Sequence, residues 1–261
     1  MTTANLIAHR TDALGAQVRE TFEQVARNPY TQFHIHRGPY YARHYLGYDG
    51  SDLQSLPKVA IDRFVGLGNP FSVGELNAGE TVLDLGCGAG SDALIAARRV
   101  GPEGRVIGIE PSAGMRACAR MAVTAAGLSE WVQIRDGQFD ALPVAAASID
   151  LVIANGALQR TAERAWVFAE IRRVLKASGR LYLADLVVDR EPSFDPDLGA
   201  DLWQAFVAGA LVEEELPELA ARAGLVEGKL VSCYDCLRNA PLAERFAGRL
   251  RFHGVTFFAV K

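Results

Sequence analysis

The sequence predicts an α/β fold built around a doubly wound, mostly parallel sheet of seven strands. Between residues 81 and 189, short apolar runs alternate with helical stretches, which is the pattern of parallel β-α-β units. Apolar residues make up 49% and charged residues 22% of the chain, as in ordinary globular domains. Its 261 residues suit one large domain or one domain with an appendage. We therefore expect an N-terminal helical cap or lid over residues 1–77 and a core domain over residues 78–261.

The first 77 residues are polar, hold four of the five histidines and lack strong β-runs. Two stretches, Asp12–Arg27 and Leu53–Gly66, space their apolar residues as a helix does. The segment from Phe33 to Gly50 between them is aromatic and ends in a turn. This region is therefore expected to form the helical cap.

The middle of the chain is expected to supply five strands and the helices that cover both faces of the sheet. The apolar runs of strand length are Val82–Leu85, Val106–Ile109, Val132–Ile134, Leu151–Ala154 and Arg180–Ala184. The helical stretches between them are Asp92–Val100, Met115–Ala126 and Ala162–Leu175.

The last zone is expected to complete the sheet after a helical insertion at about 190–225. Two stretches there, Leu198–Leu211 and Glu213–Ala223, have helical spacing. Two β-like runs follow, Lys229–Cys233 and Gly254–Val260, and they suit a closing antiparallel pair of strands.

Charge and apolar patterning disfavour several classes of partner. The net charge is −4, and no stretch gathers five like charges, whereas a protein that neutralises many phosphates is normally basic. No apolar run is long enough to span a membrane, and the N-terminus lacks a secretory pattern. Four cysteines do not make a disulfide scaffold in a chain of this length. We expect a cytoplasmic protein that binds neither nucleic acid nor a membrane.

The strongest local motif is a strand that runs directly into glycines and then into a helix. Gly86, Gly88 and Gly90 allow a sharp turn and let a ligand approach the main chain without meeting a Cβ. The helix that follows offers unpaired N–H groups. Glu110 ends the second strand, where its carboxylate would accept hydrogen bonds from both hydroxyls of a ribose. The motif therefore predicts a nucleoside-containing cofactor.

The glycine spacing indicates which nucleoside is bound. A dinucleotide fingerprint is G-x-G-x-x-G, but here the pattern is G-x-G-x-G, and Ser91 takes the place of the third glycine of that fingerprint. Asp84 and Asp92 flank the loop and would repel a pyrophosphate. They would tolerate the ammonium and sulfonium charges of S-adenosylmethionine (SAM). These charges favour SAM over NAD.

Two motifs, VLDLGCGAG and IGIE, resemble motifs I and II of the class I SAM-dependent methyltransferases, which have a Rossmann-like fold. A wider set of segments, over about residues 66–224, resembles the arsenite methyltransferase family. These segments are NPFSVGEL, GETVLDLGCGAGSDALIAARRVGPEGRVIGIEP, FDALPV, ASIDLVIANGAL, RRVLKASGRLYLAD and LWQAFVAGAL. The resemblance implies a methyltransferase that uses SAM and releases S-adenosylhomocysteine (SAH).

The resemblance, together with the charge of Asp92, places the cofactor at the carboxyl ends of the strands. The residues expected to bind it are Asp84, Gly86, Gly88, Gly90, Asp92, Glu110, Met115, Gln138, Phe139 and Asn155. By resemblance, Asp84 and the glycines line the methionine side, and Glu110 holds the ribose. Met115 packs near the adenine, whose edge meets Gln138 and the N–H of Phe139. Asn155 faces the transferred methyl group or the amino-acid end of SAM.

The chain departs from the arsenite methyltransferases where they hold arsenic. That family uses three cysteines, because a thiophilic element needs soft ligands. Leu67, Gly156 and Phe206 stand at these positions here. A pocket with these residues cannot ligate arsenite, and it suits a flat or apolar acceptor. Cys233 and Cys236 form one C-x-x-C, which cannot complete a tetrahedral site alone, so no metal site is expected.

The N-terminal aromatic segment has two readings. In the first, this segment forms a lid over the acceptor that includes His34, His36, His44, Tyr40 and Tyr41. In the second, His34 and His36 alternate only because they lie on the solvent-exposed face of an extended segment. If the acceptor must lose a proton, these three histidines are the candidate bases. A thiolate or selenolate acceptor would need no strong base.

The sequence thus favours a SAM-dependent methyltransferase that acts on a small, organic acceptor, as a monomer or homodimer. The alternatives are a methyltransferase for arsenite or a thiol, and a SAM-binding protein without methyltransferase activity. A nucleic-acid methyltransferase is disfavoured by the net negative charge of the chain. It is also disfavoured because the fourth strand ends in Ala154-Asn155-Gly156-Ala157, which lacks the proline and aromatic residue of a catalytic tetrapeptide.

Overall fold

A computed structural model describes residues 20–30, 36–158, 161, 163–190, 210–235, 243–246 and 250–261. The strands are β1 Thr81–Leu85, β2 Arg105–Ile109, β3 Val132–Arg135, β4 Ile149–Asn155, β5 Leu175–Val188, β6 Leu211–Val212, β7 Val226–Tyr234 and β8 Phe252–Val260. The helices are α1 20–27, α2 Gly38–His44, α3 Gly50–Gln54, α4 Lys58–Ile61, α5 Ser91–Val100, α6 Ala113–Ala125, α7 Arg164–Val174, α8 Glu215–Arg222 and α9 Ala243–Phe246. A 3₁₀ turn spans Pro70–Ser72.

The strands form one sheet in the order β3-β2-β1-β4-β5-β8-β7. Strands β1 to β5 run parallel to one another, and β8 runs antiparallel to both β5 and β7. The predicted doubly wound sheet with a C-terminal antiparallel pair is therefore confirmed.

The structure adds an eighth strand, β6, which pairs with the end of β5. The predicted helix Leu198–Leu211 lies almost entirely outside the described residues, but its last residue, Leu211, belongs to β6 and not to a helix. Two residues are too short to show the alternation that predicts a strand. Leu211 is instead held by its pairing with Val187 and by complete burial.

The two faces of the sheet carry separate apolar layers. Val82 and Leu151 belong to the layer that also contains the apolar residues of α5 and α6. Leu83 and Val152 point to the other face and pack with apolar residues of α7. Strands buried on both faces appear as continuous apolar runs in the sequence, which is why the central strands were predictable.

The region before β1 consists of short helices. The stretch Leu53–Gly66, expected as one helix, is broken into α3 and α4, because Pro57 has no N–H and disfavours helical geometry at the residue before it. Of the predicted helix Asp12–Arg27, the structure describes residues 20–27, and these are helical. A domain division after residue 77 stays a prediction. Among the described helices, none is long and apolar enough to cross a membrane.

Candidate cofactor pocket at the carboxyl edge of the sheet

The turn from β1 to α5 is built from glycines with left-handed backbone angles. Gly86, Gly88 and Gly90 have φ values of 80°, 53° and 89°. The N–H groups of Gly86 and Cys87 donate to the carbonyl of Ile109 at 2.9 and 3.0 Å, which ties the turn to the end of β2. A Cβ at Gly86 would lie 3.3 Å from the ring of Phe139. A side chain here would therefore be strained in its backbone and crowded as well.

An open cavity of about 440 Å³ lies beside this turn. The residues that line it come from α1, from the segment after α4, from the glycine turn and α5, and from the ends of β1, β2 and β4 with the start of α6. They are Phe22, Arg63, Phe64, Val65, Gly66, Asp84, Gly86, Cys87, Gly88, Ala89, Ser91, Asp92, Glu110, Met115 and Asn155.

Three carboxylates line this cavity although their side chains are almost fully buried: Asp84 is 2% exposed, and Asp92 and Glu110 are each 7% exposed. Glu110 is anchored beside the glycine turn. Its Oε2 accepts from the N–H of Gly88 at 2.9 Å, and its Oε1 accepts from the N–H of Ser112 at 2.8 Å. Buried acidic groups that line one cavity favour a positively charged ligand over an anionic one.

Asp84 is the least satisfied of the three. Its Oδ2 has no hydrogen-bond partner among the described residues. Burial, together with the charges of Asp92 and Glu110, holds the pKa of the Asp84 carboxyl well above its usual value. A buried, unpaired carboxylate oxygen that lines a cavity is a binding feature for a cationic group, because such a group would restore the lost solvation.

Asp92 is held by two side chains from distant parts of the chain. The hydroxyl of Tyr48 donates to its Oδ1 at 2.8 Å, and Nδ2 of Asn155 donates to its Oδ2 at 3.0 Å. Oδ1 of Asn155 in turn accepts from the N–H groups of Leu67 and Gly68 at 2.7 and 3.2 Å. Burial raises the pKa of Asp92 to about 6, although both hydrogen bonds favour the charged form.

Helix α1 crosses the rim of the cavity. Phe22 lines the cavity, and the next residue, Glu23, reaches the start of α6. Oε1 of Glu23 accepts from Oγ of Ser112 at 2.8 Å and from the N–H of Gly114 at 2.9 Å. These hydrogen bonds lower the pKa of Glu23. The structure thereby connects α1 to the residue that also donates to Glu110.

The cavity brings together most of the residues predicted to hold the cofactor. The predicted residues that line it are Asp84, Gly86, Gly88, Asp92, Glu110, Met115 and Asn155. Gly90 instead faces α6, where a Cβ would lie 3.4 Å from that of Ala119. Gln138 is exposed, and Phe139 is half-buried behind Gly86, so neither lines the cavity itself. A role in binding the cofactor stays a prediction for all ten residues.

The predicted acceptor residues lie in different surroundings. Leu67 is buried in an apolar cluster with Leu186 and Val188 of β5, and its carbonyl accepts from the hydroxyl of Tyr234. Gly156 is buried, and its N–H donates to the carbonyl of Ala184 at 2.8 Å. The neighbours of these two residues, Gly66 and Asn155, line the cavity. Phe206 lies outside the described residues.

The tyrosines and histidines of the N-terminal segment form their own ring cluster. Tyr41 is buried in the core and Tyr40 is 69% exposed. His36 lies 5.3 Å from the ring of Tyr41, and His44 lies 4.4 Å from that of Tyr40. His36 and His44 are absent from the cavity lining that the structure describes, and His34 lies outside the described residues. Their role as bases stays a prediction.

Residues 76–224, more than half of the chain, match the family described as a methyltransferase domain. The chain belongs to this methyltransferase family. Within it, an arsenite methyltransferase of Halobacterium salinarum is 38% identical over 179 residues, which cover 69% of this chain and 45% of that protein. A demethylmenaquinone methyltransferase of Lactobacillus johnsonii is 33% identical over 107 residues, which cover 41% of this chain and 44% of that protein.

Among solved structures, an arsenic(III) S-adenosylmethionine methyltransferase of Chlamydomonas reinhardtii has the same fold, with a TM-score of 0.67 and 25% identity. The match covers 87% of this chain and 75% of that structure. The chain spans about half the length of the curated relatives it matches.

The cysteines of the chain do not gather into a metal centre within the described residues, where no group of three metal-ligating side chains occurs. Cys87 is buried in the glycine turn, and burial raises the pKa of its thiol well above the usual value. Cys118 is buried in α6, while Cys233 is exposed on β7, the edge strand of the sheet. Cys236 lies outside the described residues.

Sequence reasoning missed four residues in or beside the candidate pocket: Phe22, Glu23, Tyr48 and Ser112. Ser112 is an N-cap residue before a helical stretch, which is a local feature of the sequence. The contact from Tyr48 to Asp92 spans 44 residues, and that from Glu23 to Ser112 spans 89. No local pattern reports contacts at such separations, so only the fold reveals them.

Proposed function

We propose that the chain is a SAM-dependent methyltransferase that acts on a small organic acceptor, and that it is a cytoplasmic monomer or homodimer. The observation that carries the proposal is the cavity lined by three buried carboxylates, with the unpaired Oδ2 of Asp84 among them. Such a cavity repels phosphate groups and suits the cationic methionine half of SAM. Membership of the methyltransferase family agrees with this chemistry.

The residues present fit SAM. Glu110, held in place by two backbone N–H groups, would accept from the ribose hydroxyls. Met115 and Phe22 would pack against the apolar surface of the adenosine, since both line the same cavity. Asp84 and Asp92 would balance the ammonium and sulfonium charges. When bound, SAM supplies an electrophilic methyl group to a nucleophilic acceptor.

The chain's own contribution is positioning and exclusion of water. Asn155 holds the backbone of Leu67 and Gly68 across the carboxyl edge of the sheet, so that segment 66–68 borders the donor site. Fixing donor and acceptor in line lowers the entropic barrier of a displacement reaction. An acceptor that carries a proton would pass it to a base, for which His34, His36 and His44 stay the candidates.

The surroundings of Leu67 support an organic acceptor. Ligation of arsenite would need soft thiolates. Leu67 instead lies in an apolar cluster, and Gly156 has no side chain to offer. Methylation of arsenite or a thiol remains the second candidate, because the Halobacterium salinarum relative at 38% identity is an arsenite methyltransferase.

The test is release of SAH from SAM by the purified chain, with glutathione alone, with arsenite plus glutathione, and with a panel of phenols, amines and carboxylates. The proposal expects product with an organic acceptor and none that depends on arsenite. Arsenite-dependent product would establish the second candidate, and product with glutathione alone would indicate a thiol acceptor. SAM binding with no product from any acceptor would favour a SAM-binding protein without this activity. The variant Glu110→Ala, expected to bind SAM poorly, controls for contaminating activity.

A further inference from the structure

We propose that Asp92, held by Tyr48 and Asn155, is the residue that distinguishes the sulfonium donor SAM from its neutral product SAH. Tyr48 acts in this as a positioning residue, because it touches Asp92 and does not line the cavity itself. The inference rests on the proposed function, since it assigns a role within the same pocket.

The geometry separates Asp92 from Glu110. Glu110 lies beside Gly88, whose N–H donates to its carboxylate. Gly88 in turn lies beside Met115, because a Cβ added to Gly88 would be 3.5 Å from the Met115 methyl group. Asp92 belongs to a second neighbourhood, in which it accepts from the side-chain amide of Asn155. That amide also lies against Gly66, because a Cβ added to Gly66 would be only 2.6 Å from it. This second neighbourhood borders segment 66–68, which is where the proposed function places the acceptor side.

The hydrogen bonds favour a charged Asp92. Tyr48 donates to one oxygen and Asn155 donates to the other, so each carboxylate oxygen has a donor. Asp84 lacks a partner for its Oδ2 among the described residues, and the charges of its two neighbours disfavour its ionised form. At neutral pH Asp92 therefore carries its charge more readily than Asp84.

A buried charge of this kind discriminates by charge alone. The sulfonium of SAM is attracted to a nearby carboxylate, and the thioether of SAH is not, although the two ligands have almost the same shape. Burial of Asp92 away from water makes this difference larger than it would be in water. Release of the product would be faster as a consequence, because the attraction ends when the methyl group leaves.

The discrimination should depend on pH, because the pKa of Asp92 is about 6. The hydroxyl of Tyr48 and the charge of Arg99 on α5 favour its ionised form, while burial opposes it. The titratable or charged groups around it or along the same cavity are Tyr48, Arg63, Asp84, Arg99, Glu110 and Tyr234. Protonation of Asp92 below its pKa removes the charge that favours SAM.

The experiment is calorimetric titration of the full chain with SAM and with SAH between about pH 5 and pH 8. In the unmodified chain the ratio of the SAM and SAH affinities should fall as the pH drops through about 6. Asp92→Asn should lower this ratio about tenfold at neutral pH, which corresponds to about 1.4 kcal/mol, and remove its pH dependence. Tyr48→Phe should move the midpoint of the pH dependence upward by about one unit, because a hydrogen bond to the charged form is lost.

Matched controls make the same chemical changes away from the pocket. Asp150→Asn alters a carboxylate that accepts from the N–H of Thr81 at the opposite end of β1, and Tyr182→Phe removes a hydroxyl that donates to the carbonyl of Glu75. Neither should change the affinity ratio or its midpoint.

If Asp92→Asn lowers the affinities for SAM and SAH by the same factor, the inference is overturned, since Asp92 would then have only a structural role. An unmoved midpoint in Tyr48→Phe would also overturn it, and this milder variant serves if Asp92→Asn does not fold. Failure of the unmodified chain to bind either ligand would refute the proposed function itself. Binding of both ligands with an affinity ratio that does not vary with pH would refute only the inference.

Discussion

Replacement of Asp84 by asparagine should make the ligand-free chain more stable at alkaline pH and weaken its binding of SAM. The side chain is 2% exposed, its Oδ2 has no partner among the described residues, and its pKa is raised by burial and by Asp92 and Glu110. A carboxyl whose pKa is higher in the folded state than in the unfolded state costs stability as the pH rises between the two values.

The size of the effect follows from this linkage. Within that pH window the slope approaches about 1.4 kcal/mol of unfolding free energy for each pH unit. Asparagine has the shape of the protonated carboxyl and does not titrate, so Asp84→Asn should match the unmodified chain only below about pH 4, where the carboxyl is protonated in both the folded and the unfolded state. At pH 8 we expect the variant to be more stable by about 1 to 3 kcal/mol. Its affinity for SAM should fall about tenfold, because the ammonium or sulfonium loses an opposing charge.

The assay is urea unfolding followed by circular dichroism at about pH 5, 6.5 and 8, with and without SAM. Asp150→Asn is the control of opposite sign, because the hydrogen bonds from Lys176 and Thr81 lower the pKa of Asp150. The ionised Asp150 carboxylate stabilises the folded chain at every pH above its unfolded-state pKa, and this stabilisation disappears only in acid. Asp150→Asn should therefore destabilise the chain equally at all three pH values. An Asp84→Asn variant that shows the same pH slope as the unmodified chain would refute the reasoning.

Three further predictions concern the rim, the turn and the acceptor side. Glu23→Gln should speed dissociation of SAM about three- to tenfold in stopped-flow measurements, because the charged acceptor for Ser112 and Gly114 is lost; Glu20→Gln on the same helix should leave the rate unchanged. Gly86→Ala should lower the free energy of unfolding in urea by about 1 to 3 kcal/mol and abolish the binding of SAM measured by calorimetry. The control is Gly101→Ala, where φ is 71° and no atom lies within 4 Å of the added Cβ; it should lower stability without changing SAM binding. Leu67→Cys should give no arsenite-dependent SAH, since one thiolate cannot hold As(III) by itself; arsenite turnover by this variant would contradict the proposal.

The part of the site that could be predicted from the sequence is the part that is contiguous in it. Strand β1, the glycine turn and the start of α5 follow one another within the chain, and Glu110 lies one strand further on. Each carries a local requirement, such as the left-handed φ of Gly88 or the apolar run of a doubly buried strand. Local requirements of this kind leave a pattern that spacing alone reveals.

The remainder depends on contacts that leave no such pattern. Tyr48 could be predicted as a buried aromatic residue, but nothing near it in the sequence indicates that its hydroxyl meets Asp92. The break between α3 and α4 was predictable in principle from Pro57, yet the apolar spacing on either side of it reads as one helix. Strand β6 depends on its pairing with β5, since two residues are too few to form a strand alone.

The carboxylates themselves explain why the glycine turn serves a different ligand from that of a dinucleotide-binding turn. Both turns present N–H groups of a helix start, which by themselves would attract an anion. Here Glu110 already accepts from the N–H of Gly88, and Asp84 and Asp92 place further negative charge around the same cavity. A pyrophosphate would meet an occupied donor and nearby like charges, whereas a cationic ligand would meet the unpaired oxygen of Asp84. In the proposed function, the stability that the ligand-free chain loses by burying these charges is the source of its selectivity for a cation.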